Sequence, residues 1–178
     1  MKVIISPNIR LRVPEAFDLG VGSIVDDYCY FSVRVRVGAY SHIASGCSVA
    51  GGKDKLFEMG RYSSLSSGVK VWCASNDFVN DLVMIEVEGL ELPNKKMVEG
   101  DVILGDFTGI GSNSVVMPGS VIPIGSVVGA QSFVPAYSKL EPWTVYAGNP
   151  VRKIKERNRS NVLNQVAYLD SHLSYNNS

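Results

Sequence analysis

The stretch from Leu104 to Val134 repeats with a strict period of six residues. A large aliphatic residue opens each hexapeptide, and a small polar residue follows four positions later. A helix repeats about every 3.6 residues and a simple strand every two, so neither produces this pattern. A hexapeptide β-helix does, because each short parallel strand places one bulky residue in the core and one small residue at a corner. The bulky positions are Leu104, Ile110, Val116, Ile122, Val128 and Val134, and the small positions are Thr108, Ser114, Ser120, Ser126 and Ser132.

The same period extends over the N-terminal third and a short middle run. Glycines often follow the bulky residue directly, where we expect tight corners to need relaxed backbone limits. We therefore predict an all-β chain, a parallel β-helix of hexapeptide repeats over residues 1–149. The further bulky positions are Leu19, Val25, Phe31, Val37, Ile43 and Val49, then Met59, Leu65 and Val71.

Two breaks interrupt the period, at about residues 50–58 and 74–97. Interruptions of a solenoid leave the stack as loops, often on a binding face. The second break is acidic and alternates through Val83, Ile85 and Val87, which suits either a packed hairpin arm or a substrate loop. After Val134 the pattern ends, and Pro150 is predicted at the first turn of a C-terminal helix, with a tail, over residues 150–178.

The composition bounds the class of protein. The chain has 178 residues, 46% of them hydrophobic, enough for the core of one domain. Its formal net charge is zero, so no nucleic-acid partner is expected. The apolar run at the N-terminus is too short for a signal sequence or a membrane span, and we expect a cytoplasmic protein. Cys29 and Cys47 occupy small positions of the repeat and are predicted to be buried thiols.

Three sequence phrases resemble the hexapeptide acyltransferases: IGSNSVVMPG at 110–119, VVGAQSFV at 127–134 and YAGNPVRKIKE at 146–156. Within that family the chain looks similar to sugar acetyltransferases, including galactoside acetyltransferase and enzymes that acetylate bacterial surface polysaccharides. The resemblance covers nearly the whole chain. It implies a left-handed parallel β-helix with about eighteen residues per coil, assembled as a homotrimer with active sites between subunits.

The resemblance also implies acetyl-coenzyme A as the co-substrate, bound along the C-terminal coils, with no metal requirement. Its pantetheine arm would contact backbone, and its phosphates would face the cations that follow the AGNP sequence. The implied positions are Gly111, Gly129 and Ala130 for the pantetheine arm, and Arg152, Lys153 and Lys155 for the phosphates.

The general base of the galactoside-type enzymes is missing here, since Asn76 and Asp77 stand where those enzymes have a histidine followed by proline. A sugar hydroxyl is too weak an acid to ionise near neutral pH, so its acetylation requires a base. His42, predicted at a corner with its side chain outward, is the candidate for that role. An amine needs less help, and Asp77 could orient it and accept its proton, with Glu86 as a substrate contact. His42 and Asp77 are predicted at different corners of one subunit, so they share a site only across a trimer interface.

Several functions remain open at this point. The first is acetyl transfer to a sugar hydroxyl in the biosynthesis of a cell-surface polysaccharide such as O-antigen or capsule. The alternative is N-acetylation of a nucleotide-linked aminosugar. From other classes come a non-catalytic β-helix scaffold and a γ-carbonic anhydrase-like enzyme, although the latter needs three histidine ligands per zinc and the chain has only two histidines.

Overall fold

The computed structural model of the chain describes residues 1–82, 87–90 and 92–175. Within them the chain winds into a parallel β-helix, as the six-residue period predicts, and ends in one α-helix. The β-helix is left-handed, as the family resemblance implies. Short strands of successive coils stack into three sheets, which form the three faces of the solenoid. All strand pairs in these sheets are parallel except the last pair of the largest sheet.

Strands are numbered in chain order, and the three faces are named sheets A, B and C. Sheet A contains β1 (Ile4–Ile5), β4 (Ile24–Val25), β7 (His42–Ile43), β10 (Ser64–Leu65), β15 (Gly109–Ile110), β18 (Val127–Val128), β20 (Thr144–Ala147) and β21 (Arg152–Glu156). Sheet B contains β2 (Arg10–Leu11), β5 (Tyr30–Phe31), β8 (Ser48–Ala50), β11 (Lys70–Trp72), β16 (Val115–Val116) and β19 (Phe133–Val134). Sheet C contains β3 (Phe17–Leu19), β6 (Arg34–Val37), β9 (Leu56–Met59), β14 (Val102–Leu104) and β17 (Val121–Ile122). The remaining elements are the antiparallel pair β12 (Ala74–Asn76) and β13 (Met97–Glu99), a 3-10 helix over Pro14–Ala16, and helix α1 (Arg159–Tyr175).

The bulky residues of the hexapeptides stack in register through the centre of the solenoid. On sheet A, Val25 pairs with Ile43, Ile43 with Leu65, and Leu65 with Ile110, and all four are buried. Full burial of such a side chain contributes roughly 1.5–3 kcal/mol. Successive side chains of a strand alternate, so the residue before each bulky position faces outward.

Buried hydroxyl groups fasten each coil to the next. The hydroxyl of Ser41 donates to the carbonyl of Gly60 at 2.9 Å, and that of Ser63 donates to the carbonyl of Gly105 at 3.1 Å. Both serines occupy the small position of the repeat. A buried hydroxyl must be hydrogen-bonded, and the carbonyl of the neighbouring coil meets that need.

The glycines after the bulky residues are explained by the neighbouring coil. Gly60 and Gly111 do not have positive φ, so our expectation that relaxed backbone limits select them is wrong. A Cβ on Gly60 would overlap the backbone of Asp106, and one on Gly111 would overlap the backbone of Ala130. Successive corners approach so closely that only a residue without a side chain fits.

A ladder of aromatic rings fills the corner between sheets C and A, the C/A corner. Tyr40 stacks on Tyr62 with ring centroids 5.3 Å apart, Tyr62 on Phe107 at 6.0 Å, and Phe107 on Trp143 at 6.1 Å. The coil between Phe107 and Trp143 has Gly125 at this position, and the ring of Trp143 occupies the space that a side chain there would need. This aromatic ladder links the coils at their C/A corner.

Helix α1 runs back along the aromatic ladder. The guanidinium of Arg159 lies 5.4 Å from the ring centre of Trp143, and the hydroxyl of Tyr62 donates to Asp170 at 2.9 Å. The helix between those contacts is roughly 16 Å long, and the three coils between Trp143 and Tyr62 span roughly 14 Å. The helix therefore lies nearly parallel to the ladder and covers the C/A corner.

The helix begins later than the sequence predicts. Pro150 lies in a turn, and the chain then forms β21, which pairs antiparallel with β20 before α1 starts at Arg159. The cause is the end of the coil stack, since the last parallel strand would otherwise leave its N–H and C=O groups unpaired. Strand β21 caps that edge, as terminal elements of solenoids do.

Both interruptions of the repeat leave from the corner between sheets B and C, the B/C corner. The first is shorter than predicted, because Leu56 already rejoins sheet C in β9. The second is closed at its base by the pairing of β12 with β13, while the alternation at Val83 and Ile85 lies outside the described residues. The ammonium of Lys55 contacts Glu99 at 2.8 Å, so the two loops are tied together.

Candidate active site

The corner between sheets A and B, the A/B corner, leaves a strip of small residues that no other described element covers. Helix α1 covers the C/A corner and the two excursions occupy the B/C corner. At the A/B corner the turns of four successive coils carry small residues, over roughly 14 Å. A linear ligand can lie along this corner without crossing a bulky side chain. These residues are Ser45, Ser67, Ser112 and Ala130, followed in the first two turns by Gly46 and Gly68 and in the last two by Asn113 and Gln131.

The three backbone positions predicted to contact the donor come together at this corner. Gly111 and Gly129 occupy the same place in successive coils, and Ala130 is exposed beside them. The N–H of Gly111 donates to Val128 at 2.8 Å and that of Gly129 donates to Tyr146 at 2.7 Å. These two amides hold the coils together, so the glycines offer a flat surface to a ligand and not a free hydrogen-bond donor.

The three predicted phosphate-binding cations lie on strand β21 and not at a helix start. Arg152 pairs with Ala147, the residue of β20 nearest the A/B corner, so the strand brings positive charge to the upper end of that corner. Lys153 is held by Glu141, whose carboxylate lies 2.7 Å from its ammonium. This hydrogen bond raises the pKa of Lys153. Among the described residues, Arg152 and Lys155 have no such carboxylate partner, which leaves them available to an anion.

His42 lies in strand β7 on the outer face of sheet A, and not at a corner as predicted. Its Nε2 is 2.8 Å from a carboxylate oxygen of Asp26, and both side chains are a little under half exposed. A carboxylate in this position can hold the imidazole ring in one orientation, as in other acid–base pairs. Asp26 is not among the residues that the sequence singled out. Ile24 pairs with His42 in the neighbouring coil, and Asp26, two positions after Ile24, lies on the same outer face as His42.

Asp77 caps the turn that opens the second excursion. Its carboxylate accepts hydrogen bonds from the backbone of Val79 at 2.9 Å and from the side chain of Asn80 at 2.6 Å. The Asn80 amide, with help from the turn backbone, lowers the pKa of Asp77. The group is therefore a stable carboxylate, better suited to holding a cation or a polar hydrogen than to taking up a proton.

The structure does not bring His42 and Asp77 together through one element. His42 belongs to sheet A, whereas Asp77 follows β12, beyond sheet B, at the B/C corner. Glu86, the predicted substrate contact, lies outside the described residues. The prediction that each candidate lies at a corner is therefore wrong for His42, which lies on the face of sheet A, while Asp77 follows β12 at the B/C corner.

The cysteines are buried free thiols, as predicted for Cys29 and Cys47. Burial raises the pKa of the third thiol, Cys73, to about 12, which removes it as a nucleophile near neutral pH. Within the described parts of the chain, no three His, Cys, Asp or Glu side chains are grouped closely enough to hold a metal ion. The helix in this part of the chain is not long and apolar enough to cross a membrane.

Two curated proteins are similar to the chain along most of its length. It is 30% identical over 164 residues to the dTDP-4-amino-4,6-dideoxy-D-glucose acyltransferase of Escherichia coli, covering 87% of this chain and 82% of that protein. It is 31% identical over 161 residues to the putative lipopolysaccharide biosynthesis O-acetyl transferase WbbJ of Escherichia coli K12, covering 84% and 73%. No protein-family model matches the chain.

A solved structure is similar as well. AntD, an N-acyltransferase from Bacillus cereus in complex with dTDP and 3-hydroxybutyryl-CoA, superposes with a TM-score of 0.84 at 36% identity, over 96% of this chain and 88% of that one. Further AntD structures carry substitutions at one serine and at one aspartate that lie ten positions apart. In this chain Ser67 and Asp77 have that separation, as do Ser160 and Asp170 on helix α1.

Proposed function

Because the chain belongs to the hexapeptide-repeat acyltransferases that act on sugars, we propose that it transfers an acetyl group from acetyl-coenzyme A to the amine of a nucleotide-linked aminosugar. The observation that carries this choice is the similarity to AntD over 96% of the chain. The Escherichia coli relative, named for a dTDP-linked aminosugar, supports the same choice of acceptor.

The donor is proposed to lie along the A/B corner. Its pantetheine arm follows the flat strip at Gly111, Gly129 and Ala130, and its phosphates reach Arg152 and Lys155 on β21, with Lys153 as a weaker contact. An arm of this orientation carries its thioester toward Ser67, near the lower end of the exposed strip. The length of the strip, roughly 14 Å, suits an extended chain of this kind.

When the acceptor is an amine, acyl transfer does not require a general base from the protein. The amine nitrogen attacks the thioester carbon, the carbon–sulfur bond breaks, and the displaced thiolate takes up the proton that the nitrogen loses. A carboxylate that stays ionised can hold the amine by its hydrogens during this step. We assign this role to Asp77 and propose Glu86, on the same excursion, as a further substrate contact.

The second candidate is acetyl transfer to a sugar hydroxyl of a cell-surface polysaccharide. The observation that favours it is the pairing of His42 with Asp26 at 2.8 Å, since a hydroxyl acceptor needs a general base. The similarity to WbbJ supports it as well.

The proposed assembly is a homotrimer with each active site between two subunits. Asp77 and the A/B corner are attached to different sides of one chain, so a neighbouring subunit is needed to place the acceptor loop of one beside the donor corner of the other. Acyl-coenzyme A and nucleotide sugars are intracellular metabolites, and we accordingly propose a cytoplasmic location.

The test is an acceptor panel with acetyl-coenzyme A, followed by release of free thiol and by the mass of the product. We expect turnover with dTDP-4-amino-4,6-dideoxyglucose and none with an oligosaccharide that offers only hydroxyls. Asp77→Asn should lower kcat by about tenfold, the loss expected for one charge-assisted hydrogen bond that orients the amine, and His42→Asn should change it less than threefold. Turnover confined to hydroxyl acceptors and abolished in both His42→Asn and Asp26→Asn would establish the second candidate instead.

A further inference from the structure

The outer face of sheet B divides into a cationic lower half and an apolar upper half. Arg10, Tyr30, Ser48 and Lys70 stand in register on successive strands, one outward position per coil. Arg12 occupies the next outward position of the first coil. Among the outward residues of the described sheet there are three cations and no carboxylate. The outward residues are Arg10, Arg12, Tyr30, Ser32, Ser48, Ala50, Lys70, Trp72, Val115, Met117, Phe133 and Pro135.

This face differs from sheet C, where an outward arginine lies beside an outward carboxylate. There Arg36 lies in register with Glu58, and the two side chains form an ion pair at 3.0 Å. The chain has zero formal net charge, so a face with three cations and no carboxylate is not explained by the overall composition. Such a face suits an anionic ligand, because bringing unpaired cations together is otherwise unfavourable.

The ammonium of Lys70 is held by two hydrogen bonds, which leaves one of its three N–H donors without a partner in the described residues. Its ammonium donates to the carbonyl of Gly46 at 2.8 Å and to the hydroxyl of Ser48 at 3.3 Å. An ammonium has three donors, and the third has no acceptor in the described part of the protein. The two contacts draw the ammonium down to the level of Ser48, toward the N-terminal coils and beside the A/B corner, where Gly46 lies.

Arg10 approaches the same space from below. It stands two strands under Ser48, roughly 10 Å away along the stack, and its side chain is exposed. Tyr30, half-buried, lies between them. An arginine fork and a fixed ammonium on either side of one gap form the pair of cations that binds two linked phosphates.

We propose that the outer face of sheet B, between Lys70 and Arg10, binds the diphosphate of the nucleotide-linked acceptor. This inference rests on the proposed function and adds to it a site for the acceptor. With the diphosphate held there, the sugar amine extends from Lys70 toward Gly46 and Ser67, where the proposed donor path ends. The cations act on binding, and the acyl transfer takes place at the neighbouring corner.

The test measures binding of dTDP to the free protein by calorimetry, together with acceptor kinetics. Lys70→Met and Arg10→Gln should each weaken dTDP binding and raise KM for the aminosugar nucleotide by about tenfold, the loss expected for one charge-assisted hydrogen bond. Neither kcat nor KM for acetyl-coenzyme A should change more than twofold. Lys70→Arg, which keeps the charge, should recover most of the affinity.

Arg36→Gln is the matched control, since it removes an exposed arginine from sheet C and should leave dTDP binding unchanged. Thermal unfolding of each variant separates loss of fold from loss of the site. Failure of wild-type protein to bind dTDP, or binding that neither variant weakens, would overturn the inference even if the aminosugar is acylated. A fall in kcat alone in Lys70→Met would also overturn it and assign Lys70 to the reacting carbonyl. Binding of dTDP that depends on both cations would uphold the site even if the acceptor proved to be a hydroxyl.

Discussion

At the level of single residues, the neighbouring cations on β21 differ in whether a carboxylate already pairs with them. Lys153 donates to Glu141 at 2.7 Å, whereas Arg152 and Lys155 have no carboxylate partner among the described residues. A phosphate that recruits Lys153 must compete with that carboxylate. The three cations are equivalent by sequence alone, because the carboxylate that pairs with Lys153 lies twelve positions earlier, on the turn that precedes β20.

We therefore predict unequal effects of their removal on coenzyme A binding. Arg152→Ala and Lys155→Ala should each raise the Kd for coenzyme A by about threefold to tenfold, as expected for a solvent-accessible contact with phosphate. Lys153→Ala should raise it by less than twofold. Isothermal titration of the three variants against wild type measures this difference, and an equal loss in all three would refute the distinction.

The inward residues of this fold are predictable from the sequence, and the outward pairs are not. The six-residue period identifies Ile43 and Leu65 as core residues because a β-helix repeats one environment at every coil. The contact between His42 and Asp26 depends on the length of a coil and on which residues face each other across it. The period alone does not supply that register.

At the scale of elements, the aromatic ladder and helix α1 depend on each other. The ladder gives α1 a surface at the C/A corner, and α1 covers rings that would otherwise face solvent. Gly125 is the key position, because its missing side chain lets the ring of Trp143 reach toward Phe107. Arg159, near the start of α1, lies over that ring.

We predict that Gly125→Ala destabilises the protein by about 2–4 kcal/mol. About 1–2 kcal/mol comes from placing alanine at the positive φ of 73°, and the rest comes from displacing the ring of Trp143. Gly52→Ala is the matched control, since Gly52 also has a positive φ, 92°, but nothing within 4 Å of its added Cβ. It should show only the backbone cost. Urea unfolding followed by tryptophan fluorescence compares the two, and similar midpoints would contradict the role of the ring.

The start of α1 is set by tertiary pairing and not by local sequence preference. A proline before a basic, amphipathic stretch predicts a helix from local preference. The strand at 152–156 forms because an unpaired edge lies beside it, and that edge exists only once the coils have stacked. Tertiary pairing here outweighs local preference.

At the scale of the whole molecule, the three corners of the solenoid have separate roles. One is covered by α1, one sends out both excursions, and one presents a strip of small residues. In the proposed trimer, the excursion corner of each subunit meets the A/B corner of a neighbour. This arrangement can be tested by mixing subunits with different defects.

We predict that Asp77→Asn subunits and Ala130→Trp subunits complement each other. The first lose the acceptor carboxylate, and the second block the donor path with a large side chain at an exposed position. After random mixing in equal amounts, about a quarter of intersubunit sites contain both intact parts. Activity should recover to about that fraction of wild type. Absence of any recovery, with mixed trimers verified by native mass spectrometry, would place both parts in the same chain.

Each excursion returns to the corner that it left, so the strands that follow it keep their register. Ile24 pairs with His42 eighteen residues later, whereas Ser64 pairs with Gly109 forty-five residues later, in the same sheet and the same register. The coil stack therefore tolerates a large change of length at that point without any shift in the strands above. Loops from other chains could be grafted at the B/C corner to change which sugar is recognised, while the opposite corner continues to serve the same donor.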